Sequence, residues 1–485
     1  MNTQIRRLFV IVLVMFAALG VALTNNQFLR AQQLTADSRN TRSIYQAAEI
    51  ERGPIIVGGE AVATSTLIEG SKRYQRSYPQ GPLYAPVTGW FSASFSSATG
   101  LEAAADTTLD GQTDALFLQR MRNLVTGQSR QGGGVVLTID PAMQKVAAEQ
   151  LGDRRGAVVA LDVRTGAVLA LYSSPSFDPN QLAQAEGSAA AAAHQTLSEA
   201  PGRPLMNRAI AGDLYAPGST FKVLTTVALL EKGEVTADTP MPSPVEATLP
   251  GSSTTVPNIE SAECGNGKPT LTEAFARSCN TTFVLASASL THDELAHVAT
   301  RFGFGTEEDI PVPVTPSVFP DSTDQAQLAL ASIGQYSVRA TPLLMAQVAQ
   351  AIGNGGEMMQ PYLVAEVVDH DLQVRSTTAP SSRGRATDRT TAATVTSMMR
   401  AVVEQPYGTG GELAIDGIPV AAKTGTAEVG GDSGRANAWA IGFAPADDPK
   451  IAFAVLVEGD DTEPVPHGGT TAAPIARALL EAGLQ

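Results

Sequence analysis

The sequence predicts a mixed α/β domain over residues 135–485, with a sheet assembled from both ends of that segment, a smaller β-containing part before it, and one apolar helix at the N-terminus. Three observations lead there. Strand-like apolar runs lie early, at residues 157–171 around Arg164-Thr165-Gly166, and late, at residues 438–443 and 451–458, while helical periodicity dominates between them. The chain has 485 residues, too many for one ordinary core. It opens with an unbroken apolar run of sixteen residues, 8–23.

That run follows Arg6 and Arg7 and precedes Thr24-Asn25-Asn26-Gln27. At about 1.5 Å per residue it reaches roughly 24 Å, short for a bilayer but extendable through Ile5. The arginines put the N-terminal end in the cytoplasm and everything after the run outside. Residues 1–24 are expected as a retained transmembrane anchor. A cleaved signal peptide, with Gly20-Val21-Ala22 as a small-x-small site, is the competing reading, and both export the rest. Residues 25–134 are expected to be non-catalytic, beginning with a polar stalk to about residue 45. Beyond it, short apolar stretches are interrupted by Gly53-Pro54, Gly58-Gly59 and Gly81-Pro82, which predicts a β-containing domain of modest core. Gly132-Gly133-Gly134 is expected as a hinge.

Within 135–485, residues 142–151 read as a helix and 157–171 as a hairpin. Residues 183–200, with five consecutive alanines, are helical by propensity. Ser219 follows Ala216-Pro217-Gly218 and opens an apolar run that stops at Gly233, the pattern of a buried helix. Residues 271–285 carry another helical pattern. The polar stretch 376–389 is expected as a loop, after which 392–403 resumes helical periodicity. Residues 420–427, bounded by Gly417 and Gly430, read as a strand, and 471–484 as a closing helix.

Composition narrows the function. Hydrophobic content of 43% with 17% charged residues is that of a globular chain. A net charge of -15 and a pI near 4.8 argue against nucleic-acid binding, which needs a basic footprint. The five histidines are scattered, with no zinc-type pair and no phosphate loop, so no metal or cofactor is expected.

Three short motifs carry chemistry. Ser219 and Lys222 form the one Ser-x-x-Lys, Ser278-Cys279-Asn280 follows, and Lys423-Thr424-Gly425 with Thr426 comes last. With seven lysines against twenty-six arginines, a chance Ser-x-x-Lys is expected less than once, and a chance Lys-Thr-Gly in roughly one such chain of twenty. Alone, each is an N-cap, a common turn or a strand with an exposed lysine. In this order they specify acylation of a serine with a lysine as proton acceptor. Residues three apart share a helix face, so the Lys222 ammonium is expected to fold back toward the Ser219 hydroxyl. Apolar neighbours and the positive end of the helix dipole would lower its pKa. On an edge strand, Gly425 would leave room for a substrate backbone to pair alongside, with Lys423 supplying charge and the threonines hydroxyls.

Cys264 and Cys279 are the only cysteines. In an oxidising compartment they can pair, closing a loop of about fifteen residues worth about 3 kcal/mol, and so fix the segment of Ser278 and Asn280. Two buried free thiols are the alternative.

Further stretches support a family resemblance: Arg52-Gly53-Pro54-Ile55, Tyr84-Ala85-Pro86-Val87-Thr88-Gly89, Gly100-Leu101-Glu102, Ile333-Gly334-Gln335 and Trp439-Ala440-Ile441-Gly442-Phe443. With the three motifs, the chain resembles the class B penicillin-binding proteins over nearly its whole length. The resemblance implies a serine transpeptidase and β-lactamase-like fold for 135–485: an antiparallel sheet flanked by helices plus an all-α subdomain. It implies a D,D-transpeptidase that cross-links peptidoglycan stem peptides and is acylated by β-lactams, with Ser219, Lys222, Ser278 and Lys423 catalytic and Asn280, Thr424, Gly425 and Thr426 binding substrate. It also implies a single-pass protein of the bacterial cytoplasmic membrane with a separate membrane glycosyltransferase as partner. Ala422 stands where the family often has glycine, and Tyr336 likewise; both bear on site shape. A serine β-lactamase is disfavoured by the chain's length and the missing Glu-x-x-Leu-Asn. A D,D-carboxypeptidase or a non-catalytic β-lactam receptor stays open at this level.

Overall fold

In the computed structural model the described residues are 2–25, 48–95, 97–113, 131–258, 261–430 and 434–485. Most of the expected stalk lies outside them. The N-terminal helix runs Asn2–Thr24, and its apolar stretch Thr3–Thr24 spans roughly 33 Å at 1.5 Å per residue, long enough to cross a bilayer. One such helix near the N-terminus fits a single-pass anchor.

Two sheets organise the remainder. Their strands, in chain order, are β1 Ile55–Val57, β2 Glu60–Leu67, β3 Tyr74–Ser77, β4 Gly134–Leu137, β5 Gly156–Asp162, β6 Val168–Ser174, β7 Val364–Val368, β8 Val374–Thr377, β9 Ala421–Glu428, β10 Ala436–Ala444 and β11 Ile451–Glu458. The larger domain is built on the order β9-β10-β11-β5-β6, antiparallel throughout, so a sheet made from both ends of the segment is what forms. Its central strands are buried on both faces, and the two-residue period sorts them. Val159, Leu161, Ile441, Phe443, Ala454 and Leu456 point into one core, together with Leu343 and Val348 of the helix Pro342–Gly353. Val158, Ala160, Ala440, Phe453, Val455 and Val457 point into the other, against the helices Pro141–Leu151 and Ala473–Gly483. The helices Lys222–Lys232, Leu271–Ala276, Asn280–Ala286, His292–Arg301 and Gln325–Ala331 form the helical part beside the first core.

The second sheet, β8-β7-β4-β1-β2-β3, joins the N-terminal part to strands from residues 364–377. β4 pairs parallel with β1 and antiparallel with β7. Under this sheet Glu102 is buried between two arginines, with Arg52 Nε and Arg76 Nε each 2.6 Å from its carboxylate and Tyr78 donating at 3.1 Å. The arginines hold the Glu102 pKa below its ordinary value although burial alone would raise it.

Three expectations need correction. The triglycine is a packed crossing, with Gly132 N–H donating to Glu51 O at 2.8 Å and Gly133 N–H to Thr108 O at 2.9 Å. A Cβ on Gly132 would lie 1.8 Å from Leu109 O, so the glycines permit close approach of two backbones and give no hinge. The stretch 376–389 contains the end of β8 and a short strand, Ser382–Arg385, paired with Glu357–Met359. β8 buries neither face, so no apolar alternation marked it. The single helix expected over 271–285 is two helices with a break at residues 277–279.

Candidate active site

Ser219 sits in a tight 3-10 turn, Gly218–Phe221, that leads directly into the helix Lys222–Lys232. Four contacts seat that turn. Gly218 N–H donates to Gly334 O at 3.0 Å, Thr220 Oγ1 to Pro217 O at 2.7 Å, and Trp439 Nε1 to Ala216 O at 3.0 Å. The fourth is β9: a Cβ on Gly425 would meet Thr220 Cγ2 at 3.1 Å and Pro217 O at 3.2 Å. The missing side chain of Gly425 thus admits the Ser219 turn, rather than clearing space for a substrate backbone as expected. β9 is nonetheless an edge strand, open to pairing on its outer side.

Lys222 and Lys423 are both fully buried and converge on Ser278. Lys423 Nζ lies 2.9 Å from Ser278 Oγ and 2.8 Å from Thr424 O. Lys222 Nζ lies 2.8 Å from Ser278 O, 2.8 Å from Asn280 Oδ1 and 3.4 Å from Ser278 Oγ. Among the described residues its hydrogen bonds go to these groups and none to Ser219, which corrects the expectation that it folds back onto the nucleophile. Both oxygens, a carbonyl and an amide, can only accept, so they take N–H bonds from the amine more readily than a hydroxyl that also donates. Phe283 and Phe275 lie 5.3 and 5.7 Å from the two ammonium groups. Burial first, and the Lys423 charge second, push Lys222 well below the ordinary lysine pKa. The second cause is therefore a neighbouring cation where a helix dipole was expected. Burial brings Lys423 down to about 7.

Ser278 owes its placement to the break between its flanking helices. Its φ is +60°, a left-handed backbone that only a minority of non-glycine residues adopt, and it turns both the carbonyl and the hydroxyl toward the lysines. Cys279 is bridged to Cys264, tying the break to the loop before it, while Cys279 N–H donates to Ala274 O at 2.9 Å. Asn280 then starts the second helix and donates through Nδ2 to Pro257 O at 3.1 Å.

Thr424 and Thr426 share one face of β9, opposite the face of Lys423 and Gly425. Thr424 Oγ1 is 2.6 Å from Thr409 Oγ1, and Gly468 N–H reaches Thr426 Oγ1 at 3.5 Å. The structure thus gathers all three motifs at one place. It adds Thr409, Trp439 and Gly334, to which no sequence motif assigns a role. Thr409 sits in Tyr407-Gly408-Thr409-Gly410, which reads only as a turn; nothing local signals that it meets Thr424. This arrangement supplies a hydroxyl nucleophile, two amines of lowered proton affinity, a hydroxyl bridging them, and an open strand edge with two further hydroxyls. That inventory suits acyl transfer from a peptide-like donor that carries a carboxylate.

Comparison with known proteins agrees. Residues 156–481 match the family described as the penicillin binding protein transpeptidase domain, and residues 52–135 match the penicillin binding protein A dimerisation domain. The chain is 43% identical, over 100% of its length and 99% of the relative's, to the peptidoglycan D,D-transpeptidase PbpA of Mycolicibacterium smegmatis. It is 41% identical, with the same coverage, to that of Mycobacterium tuberculosis. Among solved structures, the ceftriaxone acyl-enzyme complex of penicillin-binding protein A from M. tuberculosis superposes with a TM-score of 0.86 at 40% identity, covering 91% of this chain and 100% of that one. The penicillin G acyl-enzyme complex gives a TM-score of 0.83 at 41% identity, covering 90% and 100%.

Proposed function

The chain belongs to the penicillin-binding protein transpeptidase family, and from that premise we propose how its residues carry out peptidoglycan D,D-transpeptidation. The observation that carries the reading is the bracketing of Ser278 Oγ by two buried lysines beside the Ser219 turn. Neutral Lys222 takes the Ser219 proton as Oγ attacks the carbonyl between the two terminal D-alanines of a stem peptide. The amine lies one helical turn after Ser219, held at 2.8 Å by both Ser278 O and Asn280 Oδ1. Main-chain N–H groups of Ser219 and Thr426 hold the oxyanion, a type of contact worth several kcal/mol in other acyl transferases. Collapse breaks the C–N bond, and Ser278, recharged by Lys423, passes a proton to the leaving amine. Asn280 binds the donor peptide along β9, and Thr424 with Thr426 holds the terminal carboxylate until D-alanine departs. An amine of a neighbouring stem then attacks the ester carbonyl and gives a proton back to the Ser278–Lys423 pair; the cross-link forms as the ester C–O bond breaks, and Lys222 returns the proton to Ser219.

β-Lactams acylate Ser219, a reading supported by the acyl-enzyme complexes of the similar penicillin-binding protein A from M. tuberculosis. Residues 1–24 anchor the protein in the cytoplasmic membrane with the catalytic part outside. A separate membrane glycosyltransferase, of the shape, elongation, division and sporulation type, supplies the glycan strands. The test is intact-mass measurement of the full chain in detergent after penicillin G. One covalent adduct is expected, lost in Ser219→Ala; no adduct, or an adduct that persists in Ser219→Ala, overturns the assignment. Product analysis with an added acceptor amine separates transfer from simple hydrolysis.

A further inference from the structure

Residues 405–410 form a loop between the helix Arg389–Glu404 and the short turn Gly411–Leu413. It is seated at several points. Gly408 N–H donates to Gln405 O at 2.8 Å and Gly410 N–H to Val402 O at 2.9 Å. The Arg277 guanidinium stacks over the Tyr407 ring at 4.5 Å. Thr409 then reaches two segments at once: its N–H donates to Ala276 O at 3.2 Å, and its hydroxyl lies 2.6 Å from that of Thr424. Ala276 and Arg277 are the two residues before Ser278, so one loop ties the Ser278 segment to the strand of Lys423.

The hydroxyl protons decide what that contact does. Thr409 Oγ1 has one proton and two acceptors, Thr424 Oγ1 at 2.6 Å and Ala276 O at 3.5 Å. When an anion lies against Thr424, the Thr424 proton goes to it, because a hydrogen bond to a charged acceptor outranks a neutral one. Thr424 Oγ1 is then free to accept, and Thr409 fills that role, which fixes the rotor and polarises the donated O–H. Without the Thr409 hydroxyl, Thr424 would have to be ordered at the moment of binding.

We propose that Thr409 is a positioning residue that aims the Thr424 hydroxyl at the carboxylate of the acyl donor and holds the loop between the Ser278 and Lys423 segments in register. The inference rests on the reading of Thr424 as a carboxylate donor. It predicts a selective defect. In the full chain, Thr409→Val, which keeps shape and removes the hydroxyl, lowers the acylation efficiency of penicillin G about ten-fold, mostly through weaker binding. It leaves the efficiency of penicillin G methyl ester, whose carboxylate is masked, within about two-fold of wild type. Thr409→Ser restores the penicillin G value. In the Thr424→Val background, Thr409→Val adds nothing further. Thr409→Ala provides the same comparison should the valine variant fail to fold. Equal losses with acid and ester, or additive losses in the double variant, overturn the proposal, since a purely structural residue would behave so. Discrimination between acid and ester in Thr424→Val with none in Thr409→Val defeats the positioning role alone. Its absence from Thr424→Val defeats the carboxylate reading beneath it.

Discussion

Lys222 and Lys423 both have a proton affinity depressed by burial. Burial and, next, the Lys423 charge hold Lys222 well below the ordinary lysine pKa, so removing that charge without opening the cavity must let Lys222 hold its proton to higher pH. In Lys423→Met, the acid limb of the acylation rate against pH is therefore expected to move upward, in addition to an overall loss of rate. A profile that only drops in height, with its limb unmoved, would show the two amines uncoupled. The stability linkage has a defined sign. Both lysines have folded pKa values below their unfolded ones, so between about 7 and the ordinary value of 10.5 the unfolded chain binds more protons and stability rises with pH. Below about 7 both states hold the Lys423 proton and its burial penalty is fully present. The unfolding free energy of wild type, compared with Lys423→Met, is expected to climb from pH 7 toward 10 in denaturant titrations. Of this pair, the depressed affinity of Lys222 was legible in the apolar run that surrounds it. The partner cation lies 201 residues away in sequence, and no local pattern announces a contact of that range.

A broken helix makes the element that carries Ser278 work. The apolar spacing of residues 271–285 reads as one continuous helix because the break conserves the facing pattern: Leu271 and Phe275 before it and Phe283 after it all reach the core. Nothing in that periodicity reveals the left-handed residue at 278, which tertiary hydrogen bonds hold in place. The hairpin β5–β6 and the strands β10 and β11 were legible because their apolar runs are bounded by turn residues. β8 was not, because an exposed strand held by backbone pairing leaves no hydrophobic mark. The bridge between Cys264 and Cys279, fifteen residues apart, constrains the chain next to the break. The Cys264→Ser, Cys279→Ser double variant is expected to lose about 3 kcal/mol of unfolding free energy, from loop-closure entropy alone. Wild type denatured without reductant should show no titratable thiol. Two titratable thiols, or an unchanged denaturation midpoint in the variant, would count against the bridge.

At the scale of the whole molecule, the two parts of the chain are not beads on a string. The sheet of the smaller part is finished by β7 and β8, which belong in sequence to the larger one, and β4 lies between β1 and β7. A boundary near residue 134, natural from the glycines, cuts through this sheet. Removing residues before 152 would strip β7 of its partner β4 and expose a row of unpaired N–H and C=O groups, together with the apolar side chains of Val364 and Val367 that pack toward the core. It would also remove the helix Pro141–Leu151, whose Met143, Ala147 and Leu151 cover one face of the central sheet. A chain of residues 48–485 is therefore expected to be monodisperse and to melt cooperatively, whereas residues 152–485 should aggregate or melt at markedly lower temperature, although that shorter chain retains all three motifs. Size-exclusion chromatography and thermal melts of the two chains decide the matter. Equal melting temperatures would mean that the catalytic half folds without its neighbour, and that the shared sheet is a contact between independent domains.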